Sequence, residues 1–472
     1  MRTKTLITIF IFISTILLMH LSMAQEIAQT KKISFKEYLE IIKGNLPELQ
    51  RSSITIEKAE KSVLSSASSL DTTLSGSGNY SRSSKYNSAT ESSYYSKIWS
   101  ANAALSKKLL SGTTLEAGTS YEYVTEDLKN TGYYRPALYV KFTQELLKNS
   151  FGTLDRFTVN DAKMKLEIEK LRKFETDKTY LNTYKKLYFN WIAQIKKLNL
   201  LKEYITNTEK LRTDIENKVK SGLADKTDLH SVDALLLQYR LNYKNAELKL
   251  DEIKAALLIF PEFSSAAPLE DDFAKTLQYV TLASFESVPY EKTRSAEIYR
   301  LTKENLLYSA EVQENRLLPQ LDISGQYTRL ANSTESIKGY SKMNESEYYI
   351  GFGITYPIEN TSAKVYLKEA EIAVKEINSE FEIAKNSHKT NLETTLKSIE
   401  GLKEIIDISE KRINVLEAKY RSIYRQYLQS RKDFQYLIDT SLAVTQQKID
   451  LLELQNSLIQ YSIDYEDLAE KI

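Results

Sequence analysis

Two stretches of this chain run on without helix breakers for a length that a compact domain does not use. Residues 147–219 hold one glycine and no proline, and residues 363–472 hold only Gly401 and no proline. A first arm of about 65–70 residues, at about 1.5 Å rise per residue, predicts a rod about 100 Å long. Helices in globular proteins average about 11–12 residues. Ser221-Gly222 interrupts the first stretch. Beyond it, apolar residues recur at Leu229, Val232, Leu236, Tyr239, Tyr243, Ala246, Leu250, Ile253, Leu257 and Phe260, and Pro261 ends the series. Spacing by three and four keeps one seam turned toward a partner helix, as in a coiled coil. One long helical hairpin is therefore expected over about 147–260 and another over about 362–472. Phe35, Leu39, Ile42, Leu46, Leu49, Ile56, Val63, Ala67 and Leu70 carry the same rhythm, and Pro47 predicts a kink within it.

Between these segments the composition changes. Residues 74–142 are rich in Ser, Thr, Tyr and Gly, with glycines at 76, 78, 112, 118 and 132. Partial alternation over 105–109, 114–123 and 137–142 reads as strands, four in all over about 72–145. Alternating stretches at Leu321–Tyr327 and Tyr348–Tyr356 predict two more strands over about 320–357, after a helix over Ala296–Leu318. Residues 263–289, with extra acidic residues and two prolines, read as a linker.

The plan thus occurs twice. Leu74, Ser77, Gly78 and Tyr80 match Leu321, Ser324, Gly325 and Tyr327, while Asp228-Leu229 matches Asp433-Phe434. The two offsets differ by about 42 residues, the size of an additional hairpin, placed near Glu91 to Gly132. It could lengthen the sheet, stand up as a loop or fold against the outside. The domain plan is 1–24, 25–262, linker 263–289, and 290–472.

Residues 1–24 read as a secretory signal. Arg2 and Lys4 precede an uncharged, mostly apolar run to Leu21, and Ser22-Met23-Ala24 places cleavage after Ala24. No later segment is apolar for 18 residues, so any entry into a membrane must be as a closed barrel. The 472-residue chain balances 64 Lys+Arg against 63 Asp+Glu, which argues against a nucleic-acid binder. It has no cysteine, which excludes disulfides, thiolate nucleophiles and lipid-modified cysteine. Beyond the signal only His230 and His388 remain, each isolated in a charged helical stretch. Gly351-Phe352-Gly353 lacks the third glycine and the helix start of a phosphate loop. Asp271-Asp272 lie in the linker without a partner for acid–base work. No enzyme, cofactor or metal site is expected.

Several local pieces, in this order, carry a resemblance. They are Ile33-Ser34-Phe35 with Asn45-Leu46-Pro47-Glu48-Leu49, then Tyr188-Phe189-Asn190-Trp191, then Val219 to Ala224 followed by Asp228-Leu229. Leu318-Pro319-Gln320-Leu321 with Gly325 and Tyr327, and Tyr356-Pro357-Ile358, complete the set. Together they resemble the TolC-like outer-membrane efflux proteins over nearly all of the chain beyond the signal. The resemblance implies a mainly α fold with a β-barrel part, in two structural repeats. Three copies would share one transmembrane barrel in the outer membrane and build a helical tunnel across the periplasm. It also implies a periplasmic adaptor (a membrane fusion protein) and an inner-membrane pump as partners. The duct would serve an efflux or type I secretion system. Tyrosines at 80, 94, 95, 121, 123, 133, 134, 139, 348 and 349 suit the wet edges of a membrane, having one apolar and one polar end.

By that resemblance Asp433 takes the first acidic position of the tunnel constriction, and the second falls on Tyr436. Three copies of Asp433 about one axis would make a negative ring that favours cations. Asp228 and Tyr424 take the positions that latch neighbouring coils when the duct is closed. Ser221, Gly222, Leu223 and Ala224 form the first adaptor-docking turn, and Tyr427 and Leu428 fall in the second. Tyr427 stands where the family carries a glycine, so a reshaped or helical turn is expected there. Two other classes remain open. A structural or adhesive coiled-coil envelope protein explains the heptads but not the paired strand blocks. A periplasmic adaptor would need lipoyl-like segments that are not visible.

Overall fold

A computed structural model describes residues 31–126, 132–429 and 433–469. The expected signal and its cleavage after Ala24 lie outside the described residues. The chain divides into two units, one from Met1–Arg51, Glu175–Thr293 and Asn386–Ile472, the other from Ser52–Phe174 and Arg294–Lys385.

The helices are α1 (Phe35–Asn45), α2 (Pro47–Ser66), α3 (Thr153–Lys220), α4 (Lys226–Leu257), α5 (Glu270–Leu282), α6 (Arg294–Asn315), α7 (Thr361–Leu428) and α8 (Phe434–Ala469). Helices α3 and α7 each run for 68 residues. Ser34 starts α1 through a capping box with Glu37. Pro47 does more than kink that helix. The chain is extended at Leu46, and Pro47 opens α2 as its first residue, where its missing N–H costs nothing.

In the first unit, strand β1 (Lys31–Ile33) pairs in parallel with β6 (Ala266–Pro268). Around it Tyr38, Tyr188, Phe189, Trp191, Phe260 and Phe263 form a buried aromatic core. The expected linker is built into this core. Its helix α5 buries Phe273 and Val280, and Asp272 accepts hydrogen bonds from Phe35 N at 2.7 Å and from the Tyr188 hydroxyl at 2.8 Å. Asp272 thus has partners after all, and they are structural ones. Burial, then the carboxylate of Asp272, pushes the Tyr188 phenol well above its usual range. The arms of each hairpin are tied by charge. Arg212 Nε donates to Asp233 Oδ1 at 2.6 Å between α3 and α4, and Lys448 reaches Glu417 at 2.7 Å between α8 and α7.

The second unit carries a six-stranded antiparallel sheet in the order β2 (Thr73–Asn87), β3 (Ser92–Lys108), β4 (Thr113–Glu126), β5 (Gly132–Glu145), β7 (Gln320–Leu330) and β8 (Glu345–Thr355). The additional hairpin is β3–β4. It lies inside the sheet, paired along its length with β2 on one side and β5 on the other.

Its turn is locked to the start of α3. Gln144 Nε2 donates to Ser111 O at 3.1 Å, and Lys108 Nζ lies 2.9 Å from Asp155. Asn149, in a left-handed conformation, accepts from Leu154 N and Asp155 N and so caps α3. Asn360 takes the same left-handed conformation where β8 enters α7. Gly152 has φ +73°, and a Cβ there would lie 1.9 Å from the Leu110 carbonyl oxygen. The left-handed backbone alone costs a side chain about 1–2 kcal/mol. Gly152→Ala is therefore expected to lower stability by more than that amount, with Gly401→Ala, which meets nothing within 4 Å, neutral or stabilising. Denaturant unfolding of the two variants checks this.

Candidate functional site

Two regions, one in each unit, carry features beyond folding. The first is the sheet. Strand residues alternate between faces, so a row of paired residues shares one face. The row Leu74, Leu105, Ala117, Val140, Tyr327, Tyr348 crosses all six strands. On the same face Leu115, Phe142, Gly325 and Ile350 follow, then Phe352 and Ile354. Tyr80, Trp99, Tyr123 and Tyr134 form one aromatic row on it, with Tyr80–Trp99 and Tyr123–Tyr134 ring centroids 4.5 and 4.6 Å apart.

The next row on the opposite face reads Thr73, Ser106, Glu116, Lys141, Gln326, Tyr349. There the Tyr139 hydroxyl donates to Glu116 at 2.8 Å. Apolar side chains on the first face stay open to the surroundings, Phe352 at 81% and Leu74 at 76%. Among the described residues the chain covers it only near one end. The segment from 331 to 344 folds back so that Tyr340 stacks on Tyr121 and its hydroxyl lies 2.9 Å from Thr119 Oγ1. Hydrophobic surface of this extent, in regular rows and uncovered, marks a surface with an apolar neighbour.

The second region is the pair of helix turns in the other unit. Gly222 N bonds to Val219 O at 3.0 Å and Leu223 N to Lys218 O at 2.8 Å, a Schellman ending of α3. Gly222 supplies its left-handed residue at φ +70°. In such an ending the residue after the glycine usually packs back on its helix. Here that residue, Leu223, is 78% exposed. Lys218, its usual contact position, instead holds its ammonium 4.7 Å above the Tyr427 ring. Ser221 is exposed and Ala224 half-buried, and Asp225 caps α4 by accepting from Thr227 N.

At the other turn, α7 continues helical through Tyr427 and Leu428, and residues 430–432 lie outside the described residues. Tyr427 therefore sits in a helix and not in the turn. Its ring packs on Phe434, centroids 5.1 Å apart. Phe434 is buried with Ile215, Val232, Leu235, Tyr239, Leu437 and Ile438. Leu428 and Tyr436 are exposed, and Asp433 heads α8 with Oδ1 3.2 Å from Gln435 N.

The structure brings Asp228 and Asp433 into one electrostatic neighbourhood. The Asp228 carboxyl is raised above its ordinary value, chiefly by burial, then by the charges of Asp433 and Asp225, against a backbone hydrogen bond from Asp225 that lowers it. Burial and the charge of Asp228 also raise the Tyr427 phenol. Within one chain the phenol that Asp228 acts on is thus Tyr427. Tyr424, the position the resemblance pairs with Asp228, stacks on Tyr420 with centroids 6.3 Å apart. Spacing in the sequence could not single out Tyr427, because it faces Asp228 only once the two turns lie side by side.

Other polar candidates have plain structural settings. His388 Nε2 lies 3.3 Å from Val288 O beside the Tyr290 ring. Among the described residues no cluster of His, Asp and Glu could hold a metal ion, and no helix is long and apolar enough to cross a membrane.

No protein-family model and no curated protein matches the chain. Solved structures do. CusC, whose structures concern folding and transmembrane channel formation, aligns at TM-score 0.68 and 12% identity over 93% of this chain and 92% of its own. The Campylobacter jejuni outer membrane channel CmeC aligns at TM-score 0.65 and 14% identity, over 92% of this chain and 85% of its own. The Neisseria gonorrhoeae outer membrane channel MtrE, in its open state, aligns at 0.63 and 15%, over 92% and 88%. The chain thus has the fold of the TolC-like outer-membrane channels.

A carboxyl raised in the folded state adds stability when protonated, and that stability is lost as pH rises through its folded value. Asp228→Asn is therefore expected to unfold at a higher temperature than the parent at pH 7. The gap should close as pH falls through and below the ordinary carboxylate range. Thermal unfolding from pH 3 to pH 7 reads it directly.

Proposed function

We propose that this chain is one subunit of an exported, trimeric duct in the outer membrane. In this reading it passes substrates outward passively, on behalf of an inner-membrane pump joined to it by a periplasmic adaptor. The observation that carries the reading is the two-faced sheet. One face is apolar across six strands and bordered by an aromatic row, the other is polar, and no pairing joins β2 to β8 among the described residues. Apolar-out, polar-in strands of this length suit a bilayer, which about 9–11 strand residues cross. Open edges cannot persist in hydrocarbon, so copies must close the wall together. The channels of the same fold support that setting, and the resemblance in the sequence supports three copies.

The helical turns then serve as the periplasmic end. Ser221, Gly222, Leu223, Ala224 and Leu428 offer an exposed, partly apolar patch for the adaptor, with Tyr427 supporting it from the helix. Asp433, with Tyr436 one turn on, narrows the tunnel where three copies meet. Asp228, with Tyr427 and Tyr424, holds the coils in the closed arrangement. No step of bond chemistry is required of the chain. Efflux and type I secretion both fit such a duct, since the pump supplies the energy and chooses the cargo.

In lipid vesicles, Phe352→Arg is expected to cost about 2–4 kcal/mol, the penalty of a charge on a lipid-facing strand near the midplane. Ser324→Arg, on the opposite face, should cost far less. Equal costs in denaturant unfolding from vesicles would remove the sheet from the bilayer. Single-channel recording of the detergent-extracted protein tests the duct itself. Small, long-lived, cation-preferring steps are expected, with a larger conductance for Asp433→Ala. A well-folded trimer of both parent and Asp433→Ala without any conductance would overturn the reading.

A further inference from the structure

We propose that the β3–β4 hairpin is part of the membrane wall, so that each copy contributes six strands and three copies close an eighteen-stranded barrel through β2 of one copy and β8 of the next. This rests on the trimeric duct proposed above. Four observations carry it beyond that reading.

First, the hairpin is not an appendage. Residues of β3 pair continuously with β2 from Thr73 to Asn87 and with β4 from Ser96 to Lys108. Its turn is fixed to the α3 start by the Gln144–Ser111 bond, the Lys108–Asp155 ion pair and the close approach of Gly152 to Leu110. Peeling it away would expose ladder hydrogen bonds on both sides.

Second, the hairpin shares the two-faced pattern. Leu105 and Trp99 on β3, and Leu115 and Ala117 on β4, continue the apolar rows from β2 to β5, while Ser106 and Glu116 continue the polar row.

Third, the two free edges fit each other. Six antiparallel strands leave β2 and β8 running in opposite senses, so β8 of one copy meets β2 of the next antiparallel. Charges, one of the usual devices against edge pairing, are confined on both edges to the ends away from the helical segments, at Arg82 and Lys85 on β2 and at Glu345 and Glu347 on β8. Residues 73–81 of β2 and 348–355 of β8 contain no proline and no charge.

Fourth, the sheet already has the stagger of a barrel. The row that begins at Thr73, the first residue of β2, reaches β8 at Tyr349, six residues before its last residue, Thr355. Both of those strand ends adjoin the helical segments. Taken as level, they give a slip of six residues over five strand steps. With about 3.3 Å per residue along a strand and about 4.8 Å between strands, the tilt is about 35–40°, within the range of transmembrane barrels. Since diameter grows nearly in proportion to strand number, the pore through the membrane is about 1.5-fold wider than four strands per copy would give.

The chain has no cysteine, so one introduced thiol can be spin-labelled uniquely. Ser324→Cys places the label on β7, outside the hairpin and on the polar face. Dipolar electron resonance on the purified trimer is expected to give a distance that, once the reach of the label into the lumen is added back, corresponds to a backbone separation of about 30 Å, from strand spacing and tilt around eighteen strands. A backbone separation of about 20 Å would mean a twelve-stranded wall with the hairpin outside it. That result overturns this proposal and leaves the duct intact. Protein of monomer mass with no inter-label signal would overturn both.

Discussion

A strand has hydrogen-bonding groups on both sides, and everything in the sheet of this chain follows from how those groups are met. Inside the sheet, five strand pairings satisfy them, and they do so in a register that sorts apolar side chains to one face and polar ones to the other. Along residues 73–81 of β2 and 348–355 of β8 the sequence supplies no proline and no charge, and among the described residues no strand covers these edges. Such edges invite pairing with another chain. The proposed trimer is the answer that leaves none open.

The helical unit solves a different problem. Long seams of apolar residues bury little each, and stability accrues by length and by a few dense nodes. The aromatic node around Tyr38, Tyr188, Trp191 and Phe263 is one. It is held by residues far apart in the chain, including the strand β1, its partner β6, and Asp272 on α5. The cluster around Phe434 is another, and it places the carboxylates of Asp228 and Asp433 in each other's field. Like charges held together by packing are a source of strain that protonation of Asp228 relieves.

The two helix turns reach similar places by different means. The first uses Gly222 in a left-handed Schellman ending and leaves Leu223 outside. The second has a tyrosine where the first has a glycine, and the helix simply continues through it to Leu428. Tyr427 then turns inward against Phe434, with Lys218 of the first hairpin over its ring. Repetition of a plan therefore did not carry repetition of a turn, and the departure put a cation–ring contact between the two hairpins.

Much was legible from the sequence alone. The absence of Gly and Pro over residues 153–220 leaves a chain with no cheap place to bend, and three–four spacing needs a partner helix, so long hairpins were readable directly. Alternation exposed the strands because its period is local, and the offset between the repeats exposed an additional hairpin. Local pattern could not say where that hairpin goes, since strand pairing between β3 and both its neighbours is a long-range choice. It could not see that residues 263–289 form a strand and a helix of the core, because their partners, Ile33, Phe35 and Tyr188, lie up to 237 residues away. Nor could it pair Asp228 with Tyr427. Sequence determined which segments are rods, which are strands and which faces are apolar, for these depend on neighbours within a few residues. Tertiary structure alone decided the number of strands in the sheet and the company of each charged side chain, because both are set by contacts between segments that the chain order keeps apart.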